Sequence, residues 1–126
     1  MYIDLLIKIK NAQAVKKDIM KSAYSKADES VLEILSRNGY ISGFEKKGKG
    51  AKKIFEIELK YNKEEGAVTD VKFISKPSRR MYLGYKDIKP VKSGYGLLVV
   101  STPEGILTGR EAQKKKVGGE ALFEIW

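Results

Sequence analysis

LLVVSTPEGILTGREAQKKKVGGEALFEIW, residues 97–126, decides the second half of the fold. Its first four residues are apolar and predict a strand that is buried on both faces. The hydroxyls, proline and glycine of STPEG predict a turn, and Thr108 with Glu111 has capping-box spacing, which predicts a short helix. The three lysines at 114–116 suit the last turn of that helix. Gly118-Gly119 is predicted to end the helix, and EALFEIW returns as a terminal strand.

The first half of the chain predicts two helices joined by a short link. Apolar residues recur at helical spacing over residues 3–12, and residues 15–24 are interpreted as a basic link. A second helix is predicted to begin at Ser25, because Asp28 stands three residues later as in a capping box. Asn38-Gly39 is predicted to end it, since glycine tolerates the left-handed conformation.

A strand hairpin is predicted over residues 40–61. Its second arm alternates apolar and charged side chains, which is the period of a half-buried strand. The loop KKGKGAKK, residues 46–53, suits either a solvated turn or a phosphate clamp, and both interpretations remain open.

The polar segment YNKEEGAV separates these elements from the remainder of the chain, where VTDVKFIS predicts a further strand. We therefore predict two small lobes, residues 1–65 and 66–126. The predicted fold class is α+β, with an N-terminal helix-helix-hairpin lobe and a C-terminal strand-rich lobe that has one short helix.

The charge of the chain points to a polyanionic partner. Among 126 residues there are 25 Lys and Arg against 16 Asp and Glu, which gives a net charge of +9. The excess is spread over both halves, with 14 basic and 10 acidic residues in the first 66. Lys and Arg gain free energy by displacing counterions from phosphates, so nucleic acid is the partner that this composition favours.

Composition also argues against several kinds of active site. Cys and His are both absent, which excludes disulfides, thiolate or imidazole metal sites and His-dependent nucleophilic catalysis. A Ser101 or Thr102 nucleophile with a lysine base is a distant alternative, because no Gly-x-Ser-x-Gly or Ser-x-x-Lys motif supports it. We predict no catalytic activity, no cofactor and no small-molecule substrate. The N-terminus meets a lysine after seven residues, so no signal peptide or membrane span is expected.

STPEG allows two interpretations. It is either a simple turn or a rigid ledge that presents the hydroxyls of Ser101 and Thr102 to sugar and phosphate oxygens. Glu120 is unexpected on a surface that faces phosphate. It fits if its carboxylate accepts from a cytosine amino group or a 2′-hydroxyl.

Four segments resemble one known family. STPEGILTGREAQKKKVGGEALFEIW is similar to the C-terminal signature of the bacterial small-subunit ribosomal protein S8 family. IDLLIKIKNAQ, YSKADESVLEILSRNGYI and ISKPSRRMYLGYKDIKPVKSGYGLLVVST extend the resemblance over nearly the whole chain. One position departs from the signature, since Pro103 stands where the family has a third hydroxyl.

The resemblance implies two α+β lobes and direct binding to the central domain of small-subunit (16S) rRNA early in assembly. Carried over by motif, the RNA contacts are Ser101, Thr102, Glu120 and Tyr82, with Lys26 as a further basic residue near RNA. Arg79 and Arg80 would hold phosphate while Tyr82 offers its ring to an unpaired base.

As partners we therefore expect small-subunit rRNA and neighbouring small-subunit ribosomal proteins, for a protein that is monomeric when free and located in the cytoplasm on the ribosome. The family also implies feedback repression of a ribosomal-protein messenger. The main alternative is a basic module that binds nucleic acid without specificity, and would bind duplex DNA about as well as RNA.

Overall fold

A computed structural model describes residues 2–62, 65–76, 78–88 and 96–126. The chain divides into two compact units, Met1–Val68 and Thr69–Trp126. Each unit combines helix with antiparallel sheet, so the predicted α+β class is confirmed. No helix in the described part of the chain is long and apolar enough to cross a membrane.

The first unit is built from two helices, a three-stranded antiparallel sheet and a two-stranded antiparallel sheet. Its elements are α1 (Tyr2–Ala14), β1 (Ile19–Ala23), α2 (Lys26–Arg37), β2 (Ile41–Lys47), β3 (Ile54–Leu59), β4 (Tyr61–Asn62) and β5 (Glu65–Gly66). Strands β4 and β5 pair only with each other in the described residues.

The core of the first unit follows the predicted periodicities. Phe55, Ile57 and Leu59 alternate inward along β3 and are buried, which confirms the hairpin formed by β2 and β3. The apolar stripe of α2 is buried as well. Asn38 is the C-cap of that helix, and Gly39 follows with φ +79°, as predicted.

Strand β1 was missed in the sequence, where its residues were interpreted as part of a link. Its burial alternates, but Ser22 points inward while Ile19 and Ala23 point outward. A half-buried strand usually turns its apolar residues inward and its polar residues outward, and here Ser22, Ile19 and Ala23 do the reverse. A search for alternating apolar and polar residues therefore could not detect β1. The strand forms because β3 offers a pairing edge, with Met20 opposite Ile57.

The predicted capping box at the start of α2 is wrong. Ser25 occupies the N-cap position, but its side chain makes no capping hydrogen bond. Asp28 is 3% exposed and lies inside the unit. The spacing of Ser25 and Asp28 is that of a capping box, but the Asp28 carboxylate is buried inside the unit.

The buried Asp28 predicts a pH dependence of stability. Burial raises the pKa of Asp28 above its ordinary value of 3.8. Between the pKa of the unfolded chain and the higher pKa of the folded chain, the folded state therefore binds more protons than the unfolded state. The free energy of unfolding therefore falls as the pH rises through that window. The contribution of protonated Asp28 to stability is fully lost above the folded pKa. Urea denaturation should show a smaller slope against pH for Asp28→Asn than for the native chain. Glu33→Gln, on the exposed side of the same helix, should keep the slope; equal slopes for the native chain and Asp28→Asn contradict the prediction.

The second unit is a sheet of order β6-β10-β8-β9, with β7 also paired to β10. Its elements are β6 (Val71–Phe73), β7 (Tyr82–Leu83), β8 (Leu97–Thr102), β9 (Gly105–Thr108), α3 (Gly109–Lys115) and β10 (Gly119–Ile125). All pairs are antiparallel. The strands predicted in VTDVKFIS, at the start of the C-terminal stretch and in EALFEIW are confirmed, whereas β9 was not predicted.

Helix α3 packs on one face of this sheet. Its Ala112 is fully buried in a cluster with Leu98, Val100, Ala121 and Ile88. Thr108 caps the helix by accepting from the backbone N–H of Glu111 at 3.2 Å, which confirms the predicted cap. The Glu111 carboxylate accepts from the Thr108 hydroxyl at 3.1 Å.

The end of α3 differs from the prediction. The C-cap is Lys116, which takes the left-handed conformation with φ 56°. Gly118 and Gly119 come later and serve a different purpose. A Cβ atom on Gly119 would collide with the carbonyl oxygen of Ser101, and one on Gly118 would lie against the backbone of Leu83. The double glycine therefore lets the chain enter the sheet between two strands.

Gly119→Ala should destabilise the second unit by about 2–3 kcal/mol, because the methyl group meets backbone that cannot rotate away. Gly84→Ala is the matched control in the same unit, since a Cβ there meets nothing closer than a flexible Asp87 oxygen at 3.4 Å. Urea denaturation of both variants measures the difference. Equal free energies of unfolding for the two would show that β10 has room at Gly119.

Candidate nucleic-acid interface

Three polar side chains form one row across the sheet of the second unit. Glu120 of β10 pairs with Tyr82 of β7 on one side and with Ser101 of β8 on the other. Directly paired residues project from the same face of a sheet, so the three side chains lie side by side. We call Tyr82, Glu120 and Ser101 the polar row. Tyr82 is 70% exposed, and Ser101 is half-buried.

Glu120 is held by an arginine. Nη1 of Arg80 donates to Oε2 of Glu120 at 3.1 Å, and the Glu120 side chain is only 15% exposed. The pair fixes the orientation of the carboxylate and compensates its charge beside the row. Arg80, which the sequence assigned to phosphate, is therefore also a partner of Glu120.

Ser75 positions the segment that carries the arginines, and no sequence pattern pointed to it. It is 1% exposed, and its hydroxyl accepts from Met81 N at 2.9 Å and donates to Met81 O at 3.3 Å. Met81 O also accepts from Ala121 N at 2.8 Å, which ties the segment to β10. Arg79 is exposed and exchanges two backbone hydrogen bonds of 2.9 Å with Lys76.

The two hydroxyls of STPEG point to opposite faces of β8, because neighbouring strand residues alternate. Thr102 is buried in the turn that follows: its hydroxyl donates to Gly105 O at 2.8 Å and accepts from Glu104 N at 3.2 Å. The Ser101 hydroxyl makes no hydrogen bond to any residue that the structure describes. Thus Ser101 belongs to the polar row, while Thr102 shapes the turn beside it.

The turn itself suits its sequence. Pro103 and Glu104 connect β8 to β9, and Thr102 pairs with Gly105 across the hairpin. Gly105 has φ +115°, a conformation that favours glycine. Proline is favoured at the first central position of such a turn because its φ is already fixed.

Other basic residues of the chain are exposed but do not belong to the row. In the second unit Lys72, Lys76, Lys86 and the lysines at 114–116 are exposed, and Nζ of Lys115 lies 3.9 Å from Oε2 of Glu104. Lys26 belongs to the first unit, where it is the exposed first residue of α2. The RNA contacts assigned to all these residues remain predictions.

The two hydroxyls should differ in their effect on stability. Thr102→Val removes both side-chain hydrogen bonds of the turn and should lower the free energy of unfolding by about 1–2 kcal/mol. Ser101→Ala should change it by less than about 0.5 kcal/mol, since no described partner is lost. Urea denaturation measures both, and a larger loss for Ser101→Ala would show that the hydroxyl has a structural partner.

The second unit has the features of a nucleic-acid-binding protein. Its sheet presents a phenol, a carboxylate held by Arg80 and a hydroxyl, and the same unit exposes Arg79 and several lysines, in a chain whose net charge is +9. Known proteins identify the family.

The model of a family described as Ribosomal protein S8 matches residues 2–126. Small ribosomal subunit protein uS8 of Erythrobacter litoralis is 44% identical over 123 residues, covering 98% of this chain and 94% of the relative. The uS8 proteins of Mycoplasmopsis agalactiae and Nautilia profundicola are 42% and 44% identical, each over 98% of this chain. The chain belongs to the ribosomal protein S8 family.

Membership in this family confirms three predictions made from the sequence: the family itself, a structural ribosomal protein in place of an enzyme, and a location on the ribosome in the cytoplasm. The ribosomal role implies association with ribosomal RNA and with other ribosomal proteins.

Proposed function

We propose that this protein is a constituent of the small ribosomal subunit that binds the central domain of 16S rRNA directly and supports assembly of the subunit. The single observation that carries the proposal is the polar row, in which three strands bring Tyr82, Glu120 and Ser101 side by side. The names of the relatives, small ribosomal subunit proteins, support the choice of subunit.

The three members of the row have different tasks in this mechanism. The half-buried Ser101 hydroxyl contacts a sugar or phosphate oxygen and so fixes the position of the protein along the RNA. The exposed ring of Tyr82 stacks on an unpaired base. The Glu120 carboxylate, oriented by Arg80, accepts from a cytosine amino group or a 2′-hydroxyl.

Charge and shape complete the interface. The exposed Arg79 and the exposed lysines of the second unit attract the phosphate backbone without regard to sequence. The turn at Pro103 contributes a fixed shape, because Thr102 closes it internally through two hydrogen bonds. We propose that complementarity of this turn to the RNA replaces the hydrogen bond of the family's third hydroxyl.

The proposal also covers the first unit and the free protein. The basic edge of the first unit at Lys26 contacts a second stretch of RNA or a neighbouring small-subunit protein, and the protein is a monomer before assembly. Feedback repression of a ribosomal-protein messenger follows if that messenger folds into a helix resembling the rRNA site. A messenger fragment would then compete with the rRNA fragment for the polar row.

Ser101→Ala should weaken binding to a transcript of the central-domain rRNA helix by about 1–2 kcal/mol, or roughly 5- to 30-fold, because one buried hydrogen bond is lost. Tyr82→Ala should lose about 1–3 kcal/mol of stacking, whereas Tyr82→Phe should retain it. Filter binding or calorimetry at several salt concentrations measures these changes.

Two controls separate specific binding from attraction by charge. Ser36→Ala, in α2 of the first unit, should leave the affinity unchanged. Lys72→Ala should weaken binding to all RNAs alike and reduce the salt slope by about one. Should the native chain bind an equal-length duplex DNA as tightly as the rRNA helix, with both losing affinity together as salt rises, the specific role proposed for the row would be refuted.

A further inference from the structure

A groove in the first unit lies between α1 and the outer strand of the sheet. It has a volume of about 640 Å³ and is lined by residues that include Lys8, Val15, Lys17, Ile19, Met20 and Lys21. None of these residues belongs to the polar row, and the proposed contact with 16S rRNA does not use them. We call this cleft the β1 groove.

Strand β1 has a free hydrogen-bonding edge along this groove. In the sheet order β1-β3-β2 it pairs, within the described part of the chain, with β3 alone. Asp18 O accepts from Leu59 N at 2.9 Å, and Tyr24 N donates to Lys53 O at 3.4 Å. The backbone groups of even-numbered residues therefore point toward β3, and those of the odd-numbered residues point away from it.

Three residues consequently present both an N–H and a C=O to the free edge. They are Ile19, Lys21 and Ala23, and their outward backbone groups form no hydrogen bond within the described residues. Such an edge is a template for another strand, because donors and acceptors alternate along it at the spacing of a β-ladder. Phosphate oxygens only accept hydrogen bonds, so phosphate groups alone would leave the carbonyls unpaired.

The groove also exposes aliphatic surface. Val15 is 67% exposed and Ile19 is 51% exposed, while Met20 is buried at the floor. Neither an aromatic ring nor a guanidinium is found among its described lining residues, so it lacks the flat groups on which nucleic-acid bases stack. Both features favour a protein chain as the occupant.

The charge of the β1 groove indicates which kind of protein segment would bind there. Lys8, Lys17 and Lys21 line the groove, and its described lining contains no carboxylate. In a strand added to β1, alternate side chains fall on opposite faces of the sheet. Acidic residues would lie on the face of Lys21, and apolar residues would lie on the opposite face, toward Met20.

We propose that the β1 groove binds an extended, acidic segment of another protein, which adds to the sheet as a strand next to β1. The segment alternates acidic and apolar residues over about six positions, the length that pairs with a five-residue strand and its flanks. Its backbone supplies the hydrogen bonds and its carboxylates lie on the face of Lys21. This inference does not rest on the RNA contacts of the second unit.

The test uses the full-length protein, labelled with ¹⁵N, and the capped peptide Glu-Val-Glu-Val-Glu-Val-Glu. On saturation with peptide, amide exchange of Ile19, Lys21 and Ala23 should slow by about ten-fold or more, since these N–H groups become hydrogen-bonded. Exchange at Met20 and Ser22, which already face β3, should change much less.

The same peptide N-methylated at alternate residues should not bind, because its edge can no longer donate. Equal binding of both peptides, or slowing without the alternate pattern, would overturn strand addition.

Substitution of single lysines tests the charge argument. Lys21→Glu should weaken peptide binding by about five- to ten-fold, whereas Lys52→Glu, in the loop between β2 and β3, should not. Ser101→Ala should leave peptide binding unchanged, which separates this inference from the proposed rRNA contact. If the rRNA fragment, and not the peptide, protects the three β1 amides, the groove is an RNA surface and the inference is wrong.

Discussion

The double pairing of β10 is the constraint on which the second unit depends. This strand pairs with β8 along one edge and with both β6 and β7 along the other. Its position therefore determines the pairing register of three strands. Gly119 makes the arrangement possible, because the backbone of Ser101 occupies the space where a side chain would stand. A shift of β10 by one residue would turn Glu120 to the opposite face and dissolve the polar row. The site is therefore a consequence of strand register and does not depend on any one loop.

The sequence predicted elements whose signals are local. The cap at Thr108, the alternation in β3 and the buried strand β8 each depend on a few neighbouring residues, and each was found. Strand β1 was missed because its inward and outward residues do not differ in polarity in the usual way. At α2, capping spacing predicted a hydrogen bond that the Ser25 side chain does not make, and the Asp28 carboxylate is buried instead of exposed at the helix start. Local patterns do not contain the tertiary environment that decided these two cases.

The candidate site shows the same division. Ser101, Tyr82 and Glu120 were each selected from the sequence, but their common row depends on pairings between segments that lie far apart in the chain. Neither the ion pair of Glu120 with Arg80 nor the support from Ser75 was visible in a linear pattern. The ion pair also resolves the difficulty of a carboxylate on a basic surface, because Arg80 compensates its charge before any RNA arrives. A desolvated but paired carboxylate can accept a hydrogen bond with less repulsion of nearby phosphates.

Pro103 illustrates how a departure from a family signature can be tolerated. A side-chain hydrogen bond contributes about 0.5–1.5 kcal/mol, and a proline in a compatible turn stabilises by about 0.4–1 kcal/mol through the unfolded chain. The hydrogen bond is one that the proposed function assigns to RNA, so its loss does not lower the stability of the hairpin, whereas the proline favours the folded turn. The Thr102 hydroxyl already closes the turn, because it donates one hydrogen bond and accepts another. Neither bond involves the side chain at position 103. Since Ser101 projects from the opposite face of β8, the polar row keeps its geometry whichever residue occupies the exposed corner of the turn.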